Sequence, residues 1–267
     1  MKNNTFLIFF FFSSIIVIPC KIYSSGGNGD TLLQQEHIVG FIENKGQVYD
    51  QSYKPNAAVL YLLNRPGLNI QLRKTGFSYD TYTVEKKAKR SPLSISHKRG
   101  EKNFDKFHEP EYELTYHFHR VDIELPNANP TVRLKAEEPF PDHFNYYNEV
   151  TPEEGATGVN HYKKIIYQNI YENIDLVFSI EKGKPEYDFI IHPGGNVKDI
   201  VMQYKGMDNL KQNNLTELGI ALKQGILTDA IPMSYELENK KEIAVAYILN
   251  KENKVSFEAK GYNRPLS

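Results

Sequence analysis

The stretch from Tyr162 to Gly195 alternates aromatic and aliphatic residues with polar ones, and the charged segment Glu181–Pro185 interrupts it. This pattern predicts two aromatic-rich β-strands joined by a short loop, because successive side chains of a strand point to opposite faces. The stretch contains no nucleophile elbow, metal-binding box or phosphate-binding loop. It therefore predicts a β-rich scaffold more than a reaction.

Similar short apolar runs, separated by turn residues, recur along the chain at intervals of roughly 8 to 12 residues. The composition agrees, because the 18 Tyr and 15 Phe residues favour strands. No helical stripe of convincing length follows the first 25 residues. We expect residues 37–267 to form an all-β, antiparallel, sandwich-like domain, or two packed β subdomains. The clearest hairpins are predicted at residues 59–72, 218–227 and 242–259.

Three places interrupt the pattern. Residues 85–108 are rich in Lys and Arg and predict a charged, solvated loop. Residues 137–158 are polar and Pro-bearing and predict an irregular connection, with a possible subdomain seam near 137–160. Between Phe118 and Val121 the alternation changes parity, which predicts either a β-bulge near His119 or a change in which face is buried.

The first 25 residues predict an export signal. Lys2 supplies a positive start, and a run of Phe and Ile about 15 residues long follows, shorter than the ~20 residues of a membrane span. Cys20, the only cysteine, is expected to leave with this leader rather than to be lipidated, because Pro19 stands where a lipoprotein signal has a small residue. Residues 26–36 predict a disordered start of the mature chain. The protein is thus expected to be secreted or exposed at the cell surface, with no membrane span after cleavage.

The balance of charge is nearly neutral, with 32 Lys and Arg residues against 33 Asp and Glu residues. Nucleic-acid binding needs a clustered positive surface, so the sequence gives no case for it.

Several strings resemble a family of domains of unknown function in secreted and surface proteins of Bacteroidota-type bacteria. The strings are Phe41–Gln47, Phe144–Tyr147, Ile170–Phe178, Glu186–Phe189 and His192–Gly194. The motif residues are Glu43, Asn44, Gly46, Gln47, Tyr171, Ile174, Asp175, Tyr187, Asp188, Phe189, Pro193 and Gly194. In that family the domain sits near the N-terminus, often ahead of SBBP β-propeller repeats. The resemblance implies a structural or adhesive role and carries no catalytic residues. Unlike its relatives, the chain has no Trp after Tyr147.

A dense group of tyrosines is the first candidate for a ligand-binding surface. Exposed tyrosines stack on sugar rings, whereas buried tyrosines pack the core and reach out with their hydroxyls. The group comprises Tyr146, Tyr147, Tyr162, Tyr167 and Tyr171. The sequence leaves a carbohydrate-binding surface and core packing as alternatives.

Three carboxylates on the predicted hairpin are the second candidate. Asp175, Glu186 and Asp188 lie on neighbouring strands and could hold a metal such as Ca²⁺, although no cofactor is required. A pair of them could also serve glycoside hydrolysis. His117 and His119 share one face of a strand and suggest a zinc site only if a third ligand lies nearby.

We therefore predict a non-catalytic, exported structural or adhesive β-module whose partners are cell-surface proteins or glycans. The alternatives are a carbohydrate-binding module that uses the tyrosines and a secreted glycoside hydrolase that uses the carboxylates.

Overall fold

A computed structural model describes residues 7–11, 40–88, 112–147, 151–181, 183–231, 233–237 and 239–260. The first nine strands are β1 (Leu7–Phe11), β2 (Phe41–Glu43), β3 (Val59–Arg65), β4 (Leu68–Arg73), β5 (Gly76–Ala88), β6 (Tyr112–Glu124), β7 (Arg133–Tyr146), β8 (Ala156–Tyr171) and β9 (Ile174–Glu181). The remaining strands are β10 (Lys184–Ile191), β11 (Met202–Lys205), β12 (Asn209–Asn214), β13 (Glu217–Leu222), β14 (Gly225–Ala230), β15 (Met233–Glu236), β16 (Ala244–Leu249) and β17 (Lys254–Lys260). A single 3₁₀ turn spans Val197–Asp199 in these residues.

The described strands form two antiparallel sheets. The large sheet has fourteen strands in the order β15-β1-β10-β9-β8-β2-β3-β4-β5-β6-β11-β17-β16, with β7 also paired to β8. The small sheet has the order β12-β13-β14. The predicted all-β, antiparallel class is confirmed. Among the described residues, no helix is long and apolar enough to cross a membrane.

One apolar core joins the two sheets. At its centre the Phe178 ring lies 5.0 Å from that of Phe77 and 5.8 Å from that of Tyr187, measured between centroids. Leu218 and Ile220 of the small sheet are fully buried in the same cluster. Each such side chain contributes about 2 kcal/mol by leaving water. The alternation of apolar and polar residues, from which the strands were predicted, therefore also indicates which face of a strand packs into this core.

The hairpins predicted from short alternating runs are present. β3 pairs with β4, β13 with β14 and β16 with β17, each in antiparallel register. The Tyr162–Gly195 stretch holds the predicted β9–β10 hairpin, but it contains three strands rather than two. A tight turn at Glu172–Asn173 separates β8 from β9, with Asn173 at φ 56°. Asn tolerates this left-handed conformation better than most residues.

The irregular connection predicted for residues 137–158 is wrong for most of its length. β7 continues to Tyr146, β8 begins at Ala156, and the two pair as neighbours in the large sheet. The possible seam near 137–160 therefore falls within one strand pair. The prolines in this segment predicted a break in the strand, but Pro139 lies inside β7. The β7–β8 register shifts between Pro139 and His143. Among the described strands β7 pairs with β8 alone, so it is an edge strand, where a missing N–H is tolerated.

The charged loop predicted at residues 85–108 is wrong for its first four residues. β5 extends through Ala88, so residues 85–88 are strand, and the remainder of the predicted loop lies outside the described residues. The β5–β6 register is continuous from Gly76 opposite Glu124 to Ala88 opposite Tyr112. The parity change near His119 is therefore no bulge. The parity change marks the place where the apolar side chains pass from an exposed face, which ends at Phe118, to the buried face, which begins at His119.

The strand β1 lies within the predicted leader. It pairs antiparallel with β10 on one side and with β15 on the other. The predicted disordered segment 26–36 and Cys20 lie outside the described residues.

Candidate functional site

The far halves of β5 and β6 form a two-stranded ribbon, residues 82–88 and 112–118, which we call the aromatic ribbon. β4 pairs with β5 only as far as Thr81, and β11 pairs with β6 only from Asp122 onward. Among the described strands, none besides β5 and β6 pairs with the ribbon. It therefore extends past β4 and β11 in the large sheet, and Gln224 contacts it from the small sheet's β13–β14 turn, with Nε2 donating to the His117 carbonyl at 3.0 Å.

One face of the ribbon carries a continuous row of exposed apolar side chains. The register places Tyr82 opposite Phe118 and Val84 opposite Tyr116, so these residues share a face. Phe118 is 59% exposed and Tyr116 is 51% exposed. The Tyr82 ring lies 5.5 Å from that of Phe118 and 6.0 Å from that of Tyr116, between centroids. This face also carries exposed Leu114 and Tyr112.

The opposite face of the ribbon is polar. His117, Thr115 and Glu85 are exposed there. Lys87 Nζ lies 3.2 Å from Glu85 Oε1 and, by hydrogen bonding and its charge, lowers the pKa of that carboxyl. The ribbon is thus amphipathic: its apolar face is exposed, and Lys86 Nζ lies 3.8 Å from the centroid of the Tyr112 ring at the far end of that face.

A hydrogen-bonded base holds the ribbon to the body. Arg120 donates to Asp122 Oδ1 at 3.0 Å, to Gln71 Oε1 at 2.7 Å and to Ser78 Oγ at 2.9 Å. Burial raises the pKa of Asp80 at the same base, against the opposing charge of Arg120. These contacts fix the direction in which the ribbon leaves the sheet.

His119 adds a second tie at the base. Its Nδ1 accepts from the Lys223 backbone N–H at 2.9 Å, so its Nε2 carries the proton and donates to the Gly206 carbonyl at 2.8 Å. His117, by contrast, is exposed, with Nε2 3.6 Å from Glu85 Oε2. Within the described residues no group of three or more His, Cys, Asp or Glu residues could hold a metal. Among the described residues the two histidines thus have no third ligand beside them, and the zinc site considered from the sequence stays a prediction.

A polar cleft of about 440 Å³ lies beside the turn that joins the end of β8 to the start of β9. Amide, hydroxyl and charged side chains line it: Asn129, Thr131, Arg133, Gln168, Asn169, Asn173, Asp175 and His192. The chain reaches this shape through two left-handed residues, Asn169 at φ 50° and Asn173 at φ 56°. The β8–β9 register shifts between Tyr167 and Tyr171, an interval that contains Asn169. The cleft is therefore a product of local turn geometry.

Hydrogen bonds organise one wall of the cleft. Asp175 Oδ1 accepts from the Asn169 backbone N–H at 2.6 Å, and Asp175 Oδ2 lies 2.9 Å from His192 Nε2. The His192 N–H donates to the Asn173 carbonyl at 2.9 Å. The wall presents fixed donors and acceptors, a surface suited to a polar, hydroxyl-rich ligand.

The structure separates the tyrosines that the sequence grouped. Tyr167 is fully buried and donates to the Arg73 carbonyl at 2.8 Å, and Tyr171 is 4% exposed and donates to the Val201 carbonyl at 2.9 Å. Burial raises the pKa of both hydroxyls. Of the two alternatives left open by the sequence, Tyr167 and Tyr171 follow core packing, because their rings are buried.

The other three tyrosines of that group differ in exposure. Tyr146 and Tyr162 are half-buried, while Tyr147 is 73% exposed. Tyr146 packs against the small cluster that contains Ala156 and Val159, and Tyr162 packs against the main core. They do not form one open platform.

The three predicted carboxylates also have different surroundings. Glu186 and Asp188 are largely buried in β10, whereas Asp175 lies on β9 opposite Ile190 and is engaged with His192. Among the described residues, no group of three or more His, Cys, Asp or Glu side chains could hold a metal ion, and the Ca²⁺ set of Asp175, Glu186 and Asp188 stays a prediction. Strand pairing brought the residues onto one face without converging their oxygens.

Sequence reasoning missed a buried carboxylate, Asp229 of β14. It accepts hydrogen bonds from three tyrosine hydroxyls: Tyr187 at 2.8 Å, Tyr204 at 3.0 Å and Tyr247 at 3.1 Å. Burial raises the pKa of Asp229 against the opposing effect of those bonds. The cluster links the small sheet to the large one. The position of this single acidic residue within the mostly apolar run Ile226–Ile231 was the sequence signal that could have predicted a buried carboxylate.

The motif near the start of the domain is a structural clasp. Asn44 Oδ1 accepts from the Gly46 N–H at 2.9 Å, while Asn44 Nδ2 donates to the Val59 carbonyl at 2.7 Å. Gln47 Nε2 donates to the Glu43 carbonyl at 2.6 Å, and Glu43 Oε1 accepts from the Asn160 N–H at 2.7 Å. These bonds tie the loop after β2 to β3 and β8.

The second motif is structural as well. Tyr187 and Phe189 are core residues, and Gly194 stands at φ 89° in the turn after β10. A side chain at position 194 would meet the Asn173 amide. Motif residues thus shape the core and the turns that border the cleft.

The model of a domain of unknown function, DUF7948, matches residues 41–267. The chain belongs to the DUF7948 family. The matched range begins at β2 and covers both motifs, the aromatic ribbon and the polar cleft. No curated protein and no solved structure shows a match to this DUF7948 chain.

Proposed function

We propose that this DUF7948 domain is a non-catalytic, exported β-module that attaches to partner proteins at the bacterial surface or outside the cell. The observation that supports this proposal is the exposed apolar face of the aromatic ribbon. Soluble proteins rarely leave such a continuous apolar patch in water unless something binds there.

The chemistry of the ribbon favours a protein partner. Tyr and Phe are enriched in protein interfaces, and charged residues are depleted from their centres. On the ribbon, the aliphatic side chains of Val84 and Leu114 alternate with the rings of Tyr116 and Phe118. A partner with an apolar groove matches this mixture better than a sugar, which stacks on flat rings alone.

The resemblance to domains that precede β-propeller repeats supports a structural role, and the predicted leader supports export. A non-catalytic role agrees with the contacts and burial of two acidic residues. Asp175 is engaged in organising the cleft wall, and Asp229 is sealed in the core.

The test compares binding by ribbon variants of the exported protein. The protein is immobilised, a cell-envelope fraction is passed over it, and the bound proteins are quantified by mass spectrometry. We expect the double variant Tyr116→Ser, Phe118→Ser to lose at least about tenfold in captured partner, since central aromatic residues carry most interface energy. The matched control is Thr115→Ser, His117→Ser on the polar face of the same strand.

Equal capture by the ribbon variant and the control would refute the ribbon as the attachment surface. Both variants should keep the wild-type melting temperature, because exposed substitutions change stability by only about 0.5 kcal/mol or less.

The polar cleft supports carbohydrate binding as a second candidate function. Its amides and its Asp175–His192 pair offer the dense hydrogen bonding that hydroxyl-rich ligands require. The test is a thermal melt against a panel of soluble polysaccharides, in which a ligand of the folded state raises the midpoint. The variant Gln168→Ala, which trims the exposed rim of the cleft, should abolish any such shift. A shift that survives this variant would place sugar binding elsewhere.

A further inference from the structure

The strand β1 fills a gap one strand wide between β10 and β15. Leu7 pairs with Ile191 on one side and Glu236 on the other, and Phe9 pairs with Phe189 and Ser234. The inserted strand is antiparallel to both neighbours. It is also the segment that the sequence predicts to be removed as part of an export leader.

The gap is bounded by strands that are already paired on their far sides. β10 pairs with β9 through all eight residues from Lys184 to Ile191. The far side of β15 bonds to the segment entering β16, with the Ile243 N–H donating to the Ser234 carbonyl at 2.8 Å. Removing β1 would therefore leave two parallel rows of unpaired backbone groups facing each other. Such edges recruit an extended chain.

The walls of the gap specify the kind of chain it accepts. Tyr187, Phe189 and Ile191 on β10 are at most 1% exposed and face the core. Residues paired directly across antiparallel strands share a face. An inserted strand must therefore carry apolar residues at alternate positions, opposite these three. Main-chain bonding to an open edge, with side-chain pockets at alternate positions, is the general form of recognition by strand addition.

We propose that the gap between β10 and β15 is a strand-acceptor site. In the precursor the N-terminal strand Leu7–Phe11 occupies it, and after leader removal it accepts an extended apolar strand of a partner polypeptide. The proposal rests on the proposed export of the chain. It adds a second interaction surface, distinct in residues and in chemistry from the aromatic ribbon.

The test uses the protein recovered after export, with its N-terminus determined by mass spectrometry. The probe is a synthetic peptide with the sequence of Leu7–Phe11 flanked by two lysines at each end. The control peptide is identical except for Pro at the position of Phe9, which removes a backbone donor and weakens strand pairing. Hydrogen exchange of backbone amides is followed by mass spectrometry with and without each peptide.

We expect the probe to slow exchange in residues 187–191 and 233–236 by about tenfold when its concentration is about ten times Kd. Exchange in the β3–β4 hairpin should not change, and the Pro peptide should have no effect. Unchanged exchange at saturating probe, or slowing confined to other strands, would overturn the acceptor site. So would an exported protein that retains residues 7–11, because its gap is already filled.

The peptide experiment and the ribbon experiment can fail independently, so a failure of the acceptor site is distinguishable from a failure of the attachment surface. The double variant Tyr116→Ser, Phe118→Ser should bind the probe as wild type does, while it loses capture through the ribbon. If probe binding fails and ribbon capture persists, only the acceptor site is refuted. If capture fails and probe binding persists, only the attachment surface is refuted.

Discussion

Replacing Asp229 should destabilise the fold more than replacing any exposed carboxylate. The variant Asp229→Ala leaves the hydroxyls of Tyr187, Tyr204 and Tyr247 without their common acceptor. A buried polar group left without a partner costs about 1–3 kcal/mol. Three such groups set a range of about 3–9 kcal/mol, and mutual bonding among the hydroxyls brings the expected loss toward the lower end. A typical domain has a total stability of about 5–15 kcal/mol, so this loss is large.

The pH dependence of stability gives a second, independent readout of Asp229. Burial raises the pKa of this carboxyl in the folded state above its ordinary value of 3.8. The folded protein therefore binds more protons than the unfolded chain between the two pKa values. This group's contribution to stability is fully present below the unfolded pKa and declines as pH rises through the folded pKa. The variant Asp229→Asn, which stays neutral at every pH, should remove that decline.

Urea unfolding measured at several pH values tests both expectations. The matched control is Glu252→Gln, whose exposed carboxyl lies 2.6 Å from Lys254 Nζ. A loss below about 1 kcal/mol for Asp229→Ala, near the size of one ordinary hydrogen bond, would refute the reasoning. So would a wild-type stability that rises with pH in the window where Asp229→Asn is flat.

Three further substitutions test the backbone and the core, each by urea unfolding. Gly206→Ala should cost at least about 2 kcal/mol, because Gly206 has φ +87° and a Cβ there would lie 2.5 Å from the Arg120 carbonyl oxygen; a near-wild-type variant would contradict the close approach. Asn173→Val should cost about 1–3 kcal/mol through left-handed strain, whereas Asn173→Gly should cost little, and equal losses would argue against strain as the cause. Tyr167→Phe should cost about 1 kcal/mol by removing its bond to the Arg73 carbonyl, and the exposed Tyr147→Phe, expected to be neutral, is its control.

Local pattern was enough to predict the class of fold and most hairpins. The runs at residues 218–227 and 242–259 carry period-two alternation and turn residues close together, so neighbouring segments decide their pairing. β7 escaped prediction because Pro139 argues against a strand unless the strand is known to lie at an edge. Edge position is a property of the whole sheet, which no local window contains.

The candidate sites were harder to predict for the same reason. Alternation at residues 112–118 defines two faces, but it does not say that the apolar face of the ribbon remains in water. That outcome depends on where β4 and β11 stop pairing. The three tyrosines around Asp229 lie 18 to 42 positions from it in the sequence, so spacing gave no sign of the cluster. Conversely, Glu186 and Asp188 were predicted as metal ligands because they are close in the sequence. Among the described residues, the pairing of β10 with β9 does not bring a third ligand to them.

The geometry of the aromatic ribbon has a consequence for access. The strand advances by about 3.3 Å per residue, so Ala88 lies roughly 23 Å along β5 from Thr81, the last residue paired with β4. Under the attachment role proposed above, the ribbon would engage its partner at that distance from the rest of the large sheet. The stiffness of a paired ribbon, unlike a single flexible chain, keeps the contact face oriented over that distance. The reach is therefore set by the number of β5–β6 residue pairs, and lengthening or shortening the ribbon by two pairs would alter the standoff by about 7 Å while keeping the same face outward.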